Sequence, residues 1–112
     1  MKDDHVYLQH IRDSIGRIES YIRGGKEAFL RESIVQDAVI RNLEVIGEAV
    51  KNLSAEMRSQ HPEIPWARIA GMRDVLIHGY FGVRLETVWN AVERRLPEFK
   101  AHIKRLLDEA EK

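Results

Sequence analysis

Arg73, His78 and Tyr80 place three reactive polar side chains within the eight-residue run Arg-Asp-Val-Leu-Ile-His-Gly-Tyr, which is otherwise largely apolar. An arginine keeps its charge in a protein, a histidine exchanges a proton near neutral pH, and a tyrosine phenol can donate, accept or be modified. Such a set could grip an anion, move a proton and carry a modification. A plainer reading stands beside it: Arg73 pairs with an acid such as Glu48, His78 caps the carbonyls of its own helix end, and Tyr80 wedges into a core.

On a helical wheel, Ile69, Met72, Leu76 and Tyr80 fall on one side, with Arg73 at its edge. Ala67, Ala70, Gly71, Asp74 and His78 fall on another side, whose small volume would let a second helix approach closely. Arg73 and His78 are five residues apart, about 140° around the helix, so they do not point together from a straight helix. A helix end at His78, the reach of the arginine stem, or a second copy of the chain across a two-fold axis would be needed to join them.

The elements that must position this stretch read as helices throughout. Leu8, Ile11, Ile15, Ile18 and Ile22 recur at steps of three and four from about Asp4 to Arg23, with Asp3 or Asp4 as a cap and Gly24-Gly25 as the stop. A second stripe (Ile34, Val35, Ala38, Val39, Leu43, Ile46, Ala49, Val50, Leu53, Met57) predicts a long helix from near Leu30 to near Gln60. Gly47 inside it points to close approach by another helix, and Asn42 and Glu44 are expected on a solvated face. His61-Pro62-Glu63-Ile64-Pro65 must be a corner, with Pro65 suited to open a third helix from about Trp66 to His78 or slightly beyond. A fourth segment carries Leu85, Val88, Trp89, Val92 and Leu96, and Pro97 should bend or split it before Phe99, Ile103, Leu106 and Leu107. The expected fold is all-α: an up-and-down antiparallel bundle of four main helices in one domain spanning residues 1–112.

Composition narrows the classes. Lys plus Arg and Asp plus Glu total 18 each, so no net field draws the chain to nucleic acid, and any such binding must rest on local patches. Arg94, Arg95, Lys100, Lys104 and Arg105 form one candidate patch, an ordinary solvated face being the simpler account of it. There is no cysteine, which removes disulfides and thiolate chemistry and fits a reducing, cytoplasmic setting. No apolar run approaches a membrane span and the polar first residues show no targeting signal, so a soluble protein without a membrane partner is expected.

The spacing Arg-x-x-x-x-His-x-Tyr, as Arg73, His78 and Tyr80, resembles the signature of the HepT-like branch of the HEPN superfamily, small helical ribonuclease toxins paired with minimal nucleotidyltransferase antitoxins. The segment 41–49 resembles that family's second-helix signature, and Ile64-Pro65-Trp66 its inter-helix corner. The runs 71–74 and 80–83, followed by Leu85 and Val88-Trp89, are similar to its active-site block. Two positions depart from the pattern: Asp74 stands where HEPN domains often carry asparagine, and Arg84 where an acidic residue is usual.

The resemblance implies a metal-independent endoribonuclease, working as a homodimer with its cleft on the two-fold axis. In that reading His78 exchanges protons with the ribose 2′-hydroxyl or the leaving 5′-oxygen, Arg73 grips the phosphate, and Asp74 supports them. Tyr80 is implied as the acceptor of AMP from the cognate nucleotidyltransferase, a bulky anion that would shut the site. No cofactor is expected. His5, His10, His61 and His102 are scattered, without metal-ligand spacing, and are read as surface or capping residues. The alternative is a catalytically weak helical partner of the nucleotidyltransferase, with Arg73 on a nucleotide phosphate, which zero net charge favours.

Overall fold

The computed structural model describes residues 2–78 and 84–110, with the side chains of Lys2, Ile77 and His78 outside the description. Every described element is helical: α1 (Lys2–Tyr21), α2 (Gly25–Arg31), α3 (Ser33–Asn52), α4 (Ala55–Gln60), α5 (Trp66–His78), α6 (Leu85–Asn90), a π-helical turn (Ala91–Arg95) and α7 (Leu96–Ala110). The all-α bundle expected from the periodicity is therefore present, but its elements are more numerous than four.

The central helix is α3, packed against α1 on one side and α5 on the other, while α7 lies along α1. Leu8, Ile11, Ile15 and Ile18 of α1 meet Val39, Leu43, Ile46 and Val50 of α3, each at most 2% exposed. Full burial of side chains this size stabilises by about 1.5–3 kcal/mol each, which explains why these two stripes set the helix faces. Gly25 takes a left-handed φ of 84° where the first helix is expected to stop.

The long second helix is not continuous. Glu32 is extended (φ −101°, ψ 109°) and separates α2 from α3; the Gln36 amide donates to the carbonyls of Phe29 (3.0 Å) and Leu30 (3.1 Å), satisfying the end of α2. Ile34, expected in the apolar stripe, is 82% exposed in the first turn of α3. At the other end Leu53 and Ser54 are extended, and Ser54 caps α4 by accepting from the Met57 N–H (3.0 Å). Asp4 does not cap its own helix. Its buried carboxylate accepts from the Ser54 N–H and from the Ser54 hydroxyl, both at 2.7 Å, tying α1 to the start of α4.

Asn42 also corrects the sequence reading: it is buried, and its amide donates to the Ala38 carbonyl one turn back (2.9 Å), a local bond that lets a polar side chain enter the interior. The corner before α5 is fixed by the Trp66 indole, which donates to the His61 carbonyl (3.1 Å) and stands edge-on to Phe99 of α7 (centroids 6.0 Å, planes 85°). In the last segment the irregularity precedes Pro97. The Leu96 N–H reaches back to the Ala91 carbonyl, a wide turn that accommodates the ring and missing donor of Pro97 immediately ahead of it.

Candidate active site

α5 covers the expected residues as far as they are described, to His78, and its distance from α3 is set by Gly47. A Cβ on Gly47 would stand 2.5 Å from the Arg73 Cβ and 3.3 Å from the Ile69 carbonyl oxygen, so only glycine permits this crossing. The close approach lays the Arg73 side chain across α3.

There the Arg73 Nε lies 2.7 Å from Glu48 Oε2, while the other Glu48 oxygen receives the Asn52 amide at 3.4 Å. Arg73 Nη1 donates to Asp74 Oδ1 (3.4 Å), and the Lys51 ammonium meets the same oxygen at 2.9 Å. Glu48, Arg73, Asp74 and Lys51 thus form a chain of two anions and two cations. Nη2 of Arg73 makes no hydrogen bond to a described residue, which leaves its donors for a ligand. The Arg73 side chain is 29% exposed, and those of Glu48 and Asp74 about half exposed. Pairs this wet add at most about 1 kcal/mol to stability, so their consequence is orientation of the guanidinium.

Arg73 closes one end of a cleft of about 200 Å³ between α1, α3 and α5. Arg41, Glu44, Glu48 and Asn52 contribute from α3, at the spacing of one helix face, and Tyr7 and His10 from α1. Glu44 is therefore half-buried at a cleft wall rather than on a plain solvated face. His10 is exposed, as a surface residue should be, and also lines the same cleft as Arg73. The signal for it was available: Tyr7 and His10 are one turn apart and both lie off the Leu8–Ile11–Ile15 stripe.

The other candidates fare differently. Asp74 is beside Arg73, as its sequence position requires. His78 is placed only as the last residue of α5, and Tyr80 lies outside the described residues. On the small-residue face, Ala67 is exposed and a Cβ on Gly71 would meet nothing within 4 Å, but Ala70 is buried in the core. The basic patch of the last segment is partly spent: Lys100 pairs with Glu19 (2.8 Å) and Arg105 with Glu63 (2.6 Å). No helix among the described residues is long and apolar enough to cross a membrane.

The profile of the family described as Ribonuclease HepT-like matches residues 11–106, which includes Arg41, Glu44, Glu48, Arg73, Asp74, His78 and Tyr80, while Tyr7 and His10 precede it. A protein of Methanocaldococcus jannaschii named "Gamma-glutamylcyclotransferase and putative RNase" is 45% identical over 112 residues, covering 99% of this chain; the chain spans only 50% of that relative. The "Probable ribonuclease HepT" of Thermococcus cleftensis is 44% identical over 108 residues, covering 95% of this chain and 98% of the relative. No solved structure matches the chain.

Proposed function

The chain belongs to the HepT-like ribonuclease family, and on that premise we propose that it is the toxin of a toxin–antitoxin pair, a metal-independent endoribonuclease that works as a homodimer. The observation that carries this reading is the arginine: Arg73 is held by Glu48 at 2.7 Å at the end of a cleft, with Nη2 left for a phosphate. A guanidinium fixed before the substrate arrives stabilises the charge that grows on the phosphoryl oxygens without reorganising.

In the proposed reaction the 2′-oxygen attacks phosphorus as its proton leaves to a base, and the P–O5′ bond breaks as the 5′-oxygen is protonated. The products are a 2′,3′-cyclic phosphate and a 5′-hydroxyl end. His78, whose imidazole can both take and give a proton, serves as proton acceptor or donor. Two copies related by a two-fold axis would bring both Arg73 and His78 pairs to one cleft. The exposed Ala67, the open side of Gly71 and Val75, which is 66% exposed, form a face of α5 turned away from Arg73 and α3, where a second chain could approach while Arg73 reaches the shared cleft by its stem. A cognate nucleotidyltransferase would neutralise the enzyme by transferring AMP to Tyr80.

The test is incubation of the purified protein with single-stranded and transfer RNA in EDTA, beside Arg73→Ala and His78→Ala. Loss of cleavage in both variants is expected; cleavage indifferent to either substitution removes the site. Light scattering tests the dimer, which a monomer at all working concentrations would exclude. Mass measurement after incubation with the nucleotidyltransferase and ATP tests Tyr80, since a Tyr80→Phe protein that still gains AMP moves the acceptor elsewhere. The second reading, a weakly catalytic binding partner, is favoured by the zero net charge and predicts adduct formation without RNA cleavage.

A further inference from the structure

The cleft that Arg73 lines extends beyond what gripping one phosphate requires, and its walls hold groups that the proposed cleavage does not use. Arg41 is exposed on α3, lines the cleft and forms no ion pair with any described residue. It stands two turns before Glu48, roughly 10 Å along the helix axis, a separation within the combined reach of two arginine side chains. On α1 the same cleft is lined by Tyr7 and His10, whose rings meet edge to face, with centroids 6.2 Å apart and planes at 90°.

We propose that Arg41, Tyr7 and His10 form a nucleotide subsite beside the scissile phosphate, Arg41 holding a neighbouring RNA phosphate and the Tyr7–His10 corner receiving a base. The inference rests on the ribonuclease reading above and extends it to how the strand is held. Its electrostatic reason is that the charge of Arg73 is already answered by Glu48 and Asp74, whereas that of Arg41 is not. In a chain of zero net charge, attraction for an RNA backbone has to come from such a local cation. The aromatic corner supplies the second component of single-strand binding, an apolar surface against which any base can lie, so the subsite reads the strand without demanding a sequence. Glu44, half-buried in the same wall, opposes the phosphate and weakens the grip without cancelling it.

The experiment is steady-state cleavage of single-stranded RNA oligonucleotides of graded length in EDTA, comparing the wild type with Arg41→Ala, Arg41→Lys, Tyr7→Leu and Glu44→Gln, each checked for wild-type thermal unfolding. On long oligonucleotides Arg41→Ala should raise KM about tenfold with kcat held within about twofold, and the slope of log KM against log salt should fall by about one. Arg41→Lys should recover most of this loss, Tyr7→Leu should raise KM several-fold, and Glu44→Gln should lower it. On the shortest RNA still cleaved, all four should match the wild type. Arg41→Ala and Tyr7→Leu proteins with unchanged KM at every length, or with losses equal on the shortest and longest RNA, would overturn the subsite while leaving Arg73 and His78 in place. A wild-type protein whose RNA cleavage is absent, or survives both Arg73→Ala and His78→Ala, overturns the subsite and the ribonuclease reading together.

Discussion

Replacing Gly47 by alanine tests whether the crossing of α3 and α5 sets the position of Arg73. The added Cβ would begin 2.5 Å from the Arg73 Cβ and 3.4 Å from its Cα, where ordinary carbon contacts need about 3.5–4.0 Å. Neither of those atoms can swing away as a side-chain tip could. The helices must therefore part by about 1 Å. Helix propensity favours alanine by about 1 kcal/mol, and overpacking of this kind costs about 1–3 kcal/mol, so the expected net loss is about 0–2 kcal/mol. For a domain of this size that corresponds to a fall in Tm of up to about 10 °C.

Activity should suffer more than stability. A displacement of about 1 Å in a group that must meet the transition state can cost about a hundredfold in rate. Calorimetry and RNA cleavage measured together give the comparison, with Gly16→Ala as the control. Gly16 lies exposed in the middle of α1, and a Cβ there meets nothing within 4 Å, so its replacement should raise Tm by a few degrees and leave cleavage unchanged. A Gly47→Ala protein that is stabilised like Gly16→Ala and cleaves at the wild-type rate would refute the reasoning.

Glu48→Gln should lower kcat at least about tenfold while changing stability by less than about 1 kcal/mol, because the lost contact orients Arg73 at a half-exposed site; equal losses in both, seen by kinetics and urea unfolding, would make the pair structural. Asp4→Ala should cost about 1–3 kcal/mol by leaving the Ser54 N–H and hydroxyl without their buried acceptor, and hydrogen exchange should show α4 opening first. Glu63 is held below the usual 4.5 chiefly by its own backbone N–H, partly offset by desolvation, with Arg105 and His61 adding to the lowering. Its contribution to stability is therefore present above the unfolded value and is lost as pH falls through the folded one; in a carboxyl NMR titration Arg105→Ala should raise the Glu63 midpoint without restoring it fully. Lys51→Ala should reduce cleavage by removing one of the cations that answer Asp74 beside Arg73, and Asp74→Asn in the same protein should restore it, so additive losses in the double-mutant cycle would remove that coupling.

Local signals were enough where the chain's own chemistry starts and stops an element. Gly25 after the Ile18–Ile22 stripe and Pro65 before Trp66 marked real boundaries, and Gly47 announced the crossing that it permits. The end of α3 could not be read this way. Leu53 and Met57 continue the apolar spacing through the break, which Asp4 stabilises from 50 residues away by holding Ser54 extended. Asn42 looked solvated because its type is polar, yet one bond to Ala38 was sufficient to bury it. The cleft was half legible: the Arg73–Glu48 pair follows from the Gly47 crossing, whereas Tyr7 and His10 join it only once α1 and α3 are packed.

That packing bears on Asp74, the position where asparagine is frequent in HEPN domains. A carboxylate beside the arginine proposed to grip the phosphate would repel substrate if it stood alone, but Asp74 lies between the Lys51 ammonium at 2.9 Å and Arg73 at 3.4 Å. Together with Glu48 the four charges sum to zero. A neutral quartet cannot draw RNA from a distance, so in the proposed reaction Arg73 acts by aimed donors, and the proposed Arg41 subsite supplies the attraction from outside the quartet. The same neutrality is what a two-fold cleft needs. Two bare guanidinium groups brought face to face would repel strongly in a partly dry site, whereas two arginines that each arrive with their own carboxylates can share one phosphate between them.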